Sequence, residues 1–404
     1  MSTGAASLRK LKILLFYQTV YPDFIGGVEL RNIELARALS ARGHDVTLAG
    51  FTASSIAPPS NVLVISMGPR RRVYASSGRR SLLHAIRLSW AALRLDLRDY
   101  DIVETANLPF AHLLPIAGRC ALLGKPLFVS WYEYWGRYWL DYSGTVAGLL
   151  YLAIERVLAP LGTIALVTSN LTGERLRSVR HRGRIERLDC GVNLERVTHA
   201  AEAARLAPRP DAPPFIFVGR LMKHKRLDLL LRAVAKMAKV PANFGLLTIL
   251  GDGPERQHLV QMTKDLGLEG RVRFVTRVET SEEVYAMLAA AEVAVQPSAR
   301  EGFGLFPLEA LATGLPVVYC ESPDSAVGEL VRDGVEGIRV PADPGALAET
   351  LTALLLDDVK RARLAAKARQ RAAQFDWARI AERFEQLGCS AVAGRDQNEL
   401  HSVR

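Results

Sequence analysis

Short apolar runs alternate with helical stretches along almost the whole chain of 404 residues. The runs are rich in β-branched residues and nearly continuous in their apolar character, which is typical of strands buried on both faces. Parallel strands are joined by crossovers, and the helical stretches between the runs have the length to provide them. The alternation therefore predicts an α/β protein built on parallel sheets.

The alternation falls into two series. Strands of the first are predicted at Lys12–Tyr17, His44–Phe51, Val62–Met67, Asp101–Asn107, Leu127–Tyr132 and Ile164–Ser169, with helices at Glu29–Ala41, Ser81–Leu97 and Val146–Leu158. Strands of the second are predicted at Phe215–Val218, Leu246–Leu250, Val272–Val275, Val293–Gln296, Pro316–Cys320 and Gly337–Val340. Residues 199–213 are rich in Ala, Arg and Pro and have no periodicity, so we expect a linker there. The prediction is two tandem Rossmann-like doubly wound domains, 1–198 and 214–375, that face a common cleft.

The surplus of positive over negative charge is confined to one half of the chain. Residues 1–196 carry 25 Lys and Arg against 15 Asp and Glu, which accounts for the whole net charge of +10. The totals of 52 basic and 42 acidic residues leave 27 of each for residues 197–404. No zinc-finger spacing, basic zipper or RNA-binding aromatic signature accompanies the basic half, so nucleic acid is not an expected partner.

Four cysteines lie far apart and form no metal-like cluster, which favours reduced thiols in a cytoplasmic protein. The apolar run near the N-terminus, Ile13 to Tyr17, is too short for the core of a signal peptide. No run reaches the ~18 apolar residues of a membrane-spanning helix.

The most distinctive motif is the run Pro297–Ala310, which follows a predicted strand and leads into a short helix. Gly302 and Gly304 allow a backbone to approach a ligand closely, and the helix start presents free N–H groups to an anion. Glu301 and Glu309 would then lie near that anion. Alternatively, Glu309 only favours the first helical turn through the helix dipole, and Glu301 is a solvated loop charge.

A basic loop follows the first strand of the second series. Arg220 and Lys225 lie where guanidinium and ammonium groups can clamp a diphosphate. The alternative is a solvated basic loop, which is the better interpretation for Lys223 and Arg226. The turn Gly251–Glu255, after the next strand, is by itself a weak signal.

In the first series, the pair Gly26-Gly27 opens a helix after strand one and could cradle a phosphate or a sugar. It is neither the dinucleotide fingerprint nor a P-loop. A dense aromatic run, Trp131 to Trp139, follows the fifth strand; it indicates either a sugar-stacking site or a packed corner of the core.

Taken in order, these segments resemble a retaining glycosyltransferase of the GT-B type, in the large family-four group. The similarity covers nearly the whole chain. The matching segments are Gly26-Gly27-Val28-Glu29 for G-G-x-E, Gly219-Arg220 through Lys225 for G-R-x-x-x-x-K, Glu301 through Glu309 for E-x7-E, and Cys190-Gly191-Val192-Asn193 where N-G-V-D is usual. The family's final helix, which crosses back to the first domain, is expected at 376–390, and a polar tail at 391–404.

The resemblance implies a role for each matching residue. Arg220 and Lys225 would bind the donor diphosphate, Glu301 the transferred sugar and Glu309 the ribose hydroxyls. Further donor contacts would come from Gly27, Gly219, Gly251, Phe303, Gly304 and Leu305, and acceptor-side contacts from Glu29, Glu133 and Trp135. The donor would be a nucleoside-diphosphate sugar, with no metal and no other cofactor.

One position departs from the family pattern. Tyr132 stands where the family often has a His near the sugar's reactive face. A phenol with a pKa near 10 is chiefly a hydrogen-bond donor there. Either Tyr132 orients the sugar while the departing phosphate takes the acceptor's proton, or the activity is weakened or lost.

The basic first half is the acceptor half in this family's fold. Arg70-Arg71-Arg72 and Arg79-Arg80 precede an amphipathic stretch, Leu82 to Leu97, which contains Trp90. Such a surface could rest on anionic lipid at the inner face of a membrane, near a lipid-linked acceptor. The alternative is an ordinary solvated basic face.

Three other functions remain open. The first is transfer to a small-molecule acceptor in solution instead of synthesis of a polysaccharide, glycolipid or glycoconjugate. The second is a sugar-nucleotide 2-epimerase, which shares the two-domain fold but lacks the combination of G-G-x-E with E-x7-E. The third is a sugar-nucleotide binding protein without activity, an alternative that Tyr132 keeps open.

Overall fold

The computed structural model describes residues 9–23, 26–52, 62–69, 82–180, 182–206, 213–237 and 246–402. Contacts divide the chain into two compact units, one formed by 1–191 with 377–404 and the other by 192–376. The arginine clusters 70–72 and 79–80 lie outside the described residues. No helix in the described part of the chain combines the length and the apolar character needed to span a bilayer.

The first unit contains a seven-stranded parallel sheet with the order β3-β2-β1-β4-β5-β6-β7. Its strands are β1 Lys12–Thr19, β2 Asp45–Phe51, β3 Val62–Ser66, β4 Ile102–Ala106, β5 Leu127–Trp131, β6 Ile164–Val167 and β7 Arg184–Arg187. Its helices up to this point are α1 Gly27–Ala41, α2 Leu82–Arg94, α3 Leu113–Leu122, α4 Tyr138–Ser143, α5 Thr145–Leu158 and α6 Asn170–Arg177, with a 3-10 turn at Phe110–His112.

Helices cover both faces of this sheet because its strands are apolar on both sides. In β1, Leu14 and Phe16 pack into the core beneath α2, α3 and α5. Ile13 and Leu15 point to the opposite face, where α1 lies. This distribution is the predicted one for a parallel sheet.

The second unit contains a six-stranded parallel sheet with the order β10-β9-β8-β11-β12-β13. Its strands are β8 Phe215–Val218, β9 Leu247–Leu250, β10 Val272–Val275, β11 Val293–Gln296, β12 Val317–Cys320 and β13 Gly337–Val340. Its helices are α7 Leu194–Leu206, α8 Leu227–Ala235, α9 Arg256–Asp265, α10 Ser281–Ala289, α11 Leu305–Thr313, α12 Val327–Leu330, α13 Pro344–Leu356 and α14 Asp358–Ala372, with 3-10 turns at Lys223–Lys225 and Ala373–Phe375.

The last helix, α15 (Trp377–Ser402), belongs to the first unit. Phe384 is fully buried there and meets the ring of Phe128 in β5 at 5.5 Å. Trp377 lies so close to Gly191 that a Cβ on this glycine would come within 2.5 Å of the indole. The return of the chain to the first unit is therefore secured by packing.

Three details differ from the sequence-based expectations. Residues 199–206 are the end of helix α7 and not a linker, since Val197, Ala200 and Ala201 are buried. Helix α15 continues through the expected polar tail as far as Ser402, and Val392 is buried. Strand β7 was missed because its sequence, RIER, has charged residues on an exposed edge instead of an apolar run.

Both sheets share one topological property that positions a site. The crossovers reverse direction between β1 and β4 in the first unit, and between β8 and β11 in the second. At such a switch point the crossovers that follow the two strands run in opposite directions, and the carboxyl ends of the strands open onto a crevice. Functional residues are expected in those loops.

Candidate active site

In the second unit, the loops that follow β8 and β11 meet at the switch point. β8 and β11 are hydrogen-bonded neighbours, with Phe215 opposite Val293. The backbone N–H of Ala299, after β11, donates to the carbonyl of His224, after β8, at 2.9 Å. The topology thus joins the basic loop and the glutamate motif, which are some 75 residues apart in the sequence.

The side chains of Lys225 and Glu301 form an ion pair in this place. Lys225 Nζ lies 2.5 Å from Glu301 Oε2, and both side chains are 17% exposed. Gln296, the last residue of β11, donates to the same oxygen at 2.7 Å. Glu301 is therefore held by two donors and is not the solvated loop charge of the alternative interpretation.

Cations concentrate around this pair. Burial and, to a smaller extent, the positive charges of Lys225, Arg300 and Arg220 together lower the pKa of His224 to about 4. His224 is therefore neutral at physiological pH, while three permanent cations lie within electrostatic reach of its ring. Arg300, which is 6% exposed, was not singled out from the sequence, where it reads as one more loop arginine. The arrangement favours an anionic ligand.

Glycines let the neighbouring loops pack against one another. Gly251 follows β9 and has a φ of +143°, and a Cβ there would come within 2.0 Å of the carbonyl oxygen of Gly219. Any larger residue at 251 would displace the loop that carries Arg220. The motif Gly251–Glu255 is thus more than turn chemistry, since it holds the basic loop in position.

Helix α11 begins at the same switch point. Its N-cap is Gly304, which has a φ of +102° that favours glycine, and Phe303 before it is buried against the ring of Phe375. In the first turn, Leu305 and Phe306 have N–H groups with no helical carbonyl to bind, which suits an anion; Pro307 has no N–H, and the N–H of Leu308 donates to the carbonyl of Gly304.

Glu309, in the second turn of α11, differs from Glu301. Burial raises the pKa of its carboxyl to about 7, and no ion pair joins it to another described residue. A half-buried carboxylate without a cation is costly in the folded protein. Hydroxyl donors from a ligand could stabilise this carboxylate. The alternative interpretation, in which Glu309 only interacts with the helix dipole, gives no reason for its burial.

The first unit carries its own polar residues at the carboxyl edge of its sheet. Gly27 is the first residue of α1, after the N-cap Gly26. Glu29 is 3% exposed and accepts a 2.5 Å hydrogen bond from Thr19 at the end of β1. The hydrogen bond from Thr19 fixes the orientation of the Glu29 carboxylate, which constrains the direction of any contact with an acceptor.

A buried ion pair in this unit was missed from the sequence. Arg31 of α1 lies 2.5 Å from Glu104 of β4, and the two side chains are 4% and 3% exposed. Ser130 donates to the same Oε1 of Glu104, while its Oε2 has no hydrogen-bond partner among the described residues. Glu104 could have indicated the pair from the sequence, because an acidic residue inside a buried apolar strand requires a partner.

Tyr132 lies beside this ion pair. Burial raises the pKa of its phenol well above 10, although Arg31 opposes the shift. The hydroxyl is buried and has no hydrogen-bond partner among the described residues. Tyr132 is therefore a neutral group with an unused donor, and it cannot replace a histidine as a base.

The aromatic run after β5 packs mainly against itself. Trp135 lies 4.4 Å from Trp139 and 4.9 Å from Tyr142, measured between ring centroids. Its backbone N–H donates to the buried Glu155 of α5 at 3.0 Å. These contacts favour the packed corner for Trp139, whereas Trp135 and Glu133 are partly exposed and their acceptor roles stay predictions.

Two Rossmann-like units with parallel sheets define the GT-B class of α/β proteins. The family model described as Glycosyl transferases group 1 matches residues 200–371, and the one described as Glycosyltransferase Family 4 matches residues 25–196. The chain therefore belongs to the family-four, group 1 glycosyltransferases, as the motifs predicted.

Individual relatives agree with this family. The chain is 38% identical over 240 residues to a D-inositol 3-phosphate glycosyltransferase from Salinispora arenicola, which covers 54% of this chain and 52% of the relative. The chain spans about half the length of the curated relatives it matches.

Solved structures share the fold. Sucrose-phosphate synthase from Thermosynechococcus elongatus superposes with a TM-score of 0.78 at 23% identity, over 95% of this chain and 100% of that one. Anabaena Alr3699/HepE in complex with UDP-glucose superposes with a TM-score of 0.71 at 21% identity, over 94% and 100%.

The raised pKa of Glu309 predicts a pH-dependent effect of Glu309→Gln. An unfolded glutamate ionises near pH 4.5 and the folded Glu309 near 7, so the folded state binds more protons between these values. The free energy of unfolding therefore falls as the pH rises from about 4.5 to 7. Glu309→Gln abolishes this fall, and we expect the variant to be more stable than the wild type by on the order of 2 kcal/mol above pH 7.5.

Urea unfolding at several pH values measures this difference, which should vanish near pH 4.5. The exposed Glu269, changed to Gln, provides the matched control and should leave the pH dependence unaltered. If the free energy of unfolding changed with pH in the same way for Glu309→Gln and the wild type, Glu309 would not have a raised pKa.

Proposed function

We propose that this protein is a retaining glycosyltransferase that moves a hexosyl group from a nucleoside-diphosphate sugar to an acceptor hydroxyl. The observation that carries the proposal is the contact between Lys225 and Glu301 at the switch point, with Arg220 and Arg300 nearby. This supports the proposal because the departure of a diphosphate from a sugar requires cations beside the leaving group and a carboxylate that can hold the sugar.

The donor would be held at both of its ends. Arg220 and Lys225 would bind the diphosphate, and the first turn of α11 at Leu305 would add N–H donors. Glu309, ionised when bound, would accept hydrogen bonds from the two ribose hydroxyls. Glu301 would retain Lys225 and Gln296 as donors while its other oxygen accepts from the sugar.

The transfer itself needs no base from the protein. The bond from the anomeric carbon to the phosphate oxygen breaks, its electron pair stays on the diphosphate, and an oxocarbenium-like centre forms. The acceptor oxygen attacks from the same face and gives its proton to the departing phosphate oxygen. Arg220 and Lys225 stabilise the charge that develops on that phosphate, so metal ions are not required.

Tyr132 would orient the sugar by donating its hydroxyl hydrogen. This follows from its neutral phenol and its unused donor. The competing candidate is a sugar-nucleotide binding protein with little or no activity, which the same substitution of the usual histidine suggests.

For the acceptor, we propose a lipid-linked sugar or growing glycan at the inner face of the cytoplasmic membrane. The basic surplus of residues 1–196 supports this candidate. A small phosphorylated acceptor in solution is the second candidate, and the name of the D-inositol 3-phosphate relatives favours it. A UDP-sugar is the first donor to test, because UDP-glucose is bound in the structure of Anabaena Alr3699/HepE.

A donor screen followed by a turnover assay tests the function. UDP-, GDP-, ADP- and dTDP-sugars are added in turn, and the matching donor should raise the thermal midpoint by linkage. Release of nucleoside diphosphate should then depend on an acceptor and persist in EDTA. A bound donor that no acceptor consumes would indicate a binding protein, and a donor converted to its epimer without release of diphosphate would indicate an isomerase.

Changing Tyr132 tests its orienting role. Tyr132→Phe removes one hydrogen bond to the sugar, and we expect kcat to fall about tenfold with the donor Kd within about twofold. Tyr151→Phe, a partly exposed tyrosine of α5, is the control and should leave both constants unchanged. Tyr132→His is informative as well: turnover equal to that of the wild type in both variants would mean that position 132 has no chemical role.

A further inference from the structure

Most of the exposed apolar side chains of this protein lie on one part of its surface. Fifteen large apolar residues among the described residues are exposed, and eleven of them belong to α2, α3 and α5 of the first unit. Their exposed fractions range from 38% for Tyr151 to 88% for Leu122. We call the outer side of these three helices the apolar face.

Helix α2 is apolar on two opposite sides. Leu88, Ala91 and Ala92 pack into the core beneath it. Leu83, Ile86, Trp90 and Leu93 form a second stripe at helical spacing, and each is between 46% and 66% exposed. A helix with an apolar stripe on both sides is typical of one buried between two apolar surroundings.

Helices α3 and α5 extend the stripe of α2. α3 exposes Leu114 and Leu122, and α5 exposes Val146, Leu149 and Leu150. The 3-10 turn Phe110–His112 contacts all three helices, so they cover one continuous side of the sheet. An apolar surface of this breadth is unusual for an isolated monomer.

The charges of the apolar face have one sign. The exposed charged residues of the three helices are Arg87, Arg94 and Arg156. Their one acidic residue, Glu155, is 1% exposed and accepts from the backbone N–H groups of Trp135 and Gly136. Arg94 lies over the indole of Trp90 at 5.7 Å, which combines a cation with an aromatic ring as at a membrane interface.

These properties select among the surfaces that could cover the face. A second copy of this chain would bring the same arginines to a symmetric interface without an acid to pair them. An anionic bilayer offers acyl chains for the leucines and phosphates for the arginines. We propose that α2, α3 and α5 form a docking surface for an anionic membrane, into which Trp90, Leu149 and Leu150 insert.

The position of the face relates it to the acceptor. In a parallel sheet each helix begins beyond the carboxyl edge of the preceding strand, and Leu114, Leu149 and Leu150 lie in the first halves of their helices. Glu29 and Tyr132 follow β1 and β5 at the same edge. The inference that the apolar face brings a lipid-linked acceptor to this edge rests on the proposed function. The inference that the face binds a membrane does not.

Vesicle flotation without any substrate tests the proposal. The wild type should bind vesicles of phosphatidylcholine with phosphatidylglycerol, and bind pure phosphatidylcholine more weakly. Leu149→Glu/Leu150→Glu places two carboxylates on the inserting side and should weaken binding by at least about tenfold. Leu356→Glu/Val359→Glu changes two exposed residues of the second unit, 74% and 82% exposed, and should bind as the wild type does.

Fluorescence locates the inserted residues. Of the five tryptophans, Trp90 is the exposed one, at 59%, so quenching by brominated lipid should reach it and disappear in Trp90→Phe. Unaltered thermal midpoints in every variant would establish that the fold is intact. No donor or acceptor is present, so the result is independent of the test of the proposed function.

Three results would overturn the proposal: equal vesicle binding by the two double variants, binding that high salt abolishes without any quenching of Trp90, or self-association that Leu149→Glu/Leu150→Glu removes in the absence of vesicle binding.

Discussion

The pairing of Lys225 with Glu301 depends on the order of strands in a parallel sheet. All strands of the second unit end at one edge, and β8 and β11 are neighbours although two strands intervene between them in the chain. Because the crossovers diverge at this point, the two loops can hold charged side chains without covering them. The tight backbone contact of Gly251 with Gly219 then fixes the basic loop. Without this topology, neither motif would have a partner.

The energetics of the two units differ in an informative way. In the first unit, the charges of Arg31 and Glu104 are almost completely buried and pair with each other, an arrangement that orients groups more than it stabilises the fold. In the second unit, cations lie around a neutral His224, and no cation among the described residues pairs with Glu309. Destabilising charges of this kind are expected at functional sites, since a bound ligand supplies the missing partners.

Much of this could be predicted from the sequence. Strand runs such as Phe215–Val218 and Val293–Gln296 were predicted with the limits they have, because a buried parallel strand is a continuous apolar run. The motifs implied that Lys225 and Glu301 belong to one donor site, although the ion pair between them was not predicted. The ion pair of Arg31 with Glu104 did not, because pairing between a helix and a distant strand leaves no local pattern.

The same limit applies to the surface of the first unit. Periodicity showed that Leu82 to Leu97 is amphipathic, and the helix indeed spans Leu82–Arg94. Helices α3 and α5 expose leucines next to α2. Which of their residues are exposed depends on the side of each helix that packs against the sheet. In α5 the run Val146 to Ile154 has no charged residue on any side, so burial could be assigned only once the fold was known.

The account depends most directly on a diphosphate site at Lys225. Calorimetric titration of a nucleoside diphosphate into the wild type, Lys225→Met and Lys223→Met measures this with a matched control, because Lys223 belongs to the same loop but is exposed and outside the ion pair. The account predicts that Lys225→Met weakens binding by at least about tenfold and that Lys223→Met changes it by less than about twofold. Equal losses in the two variants, or none in either, would contradict it.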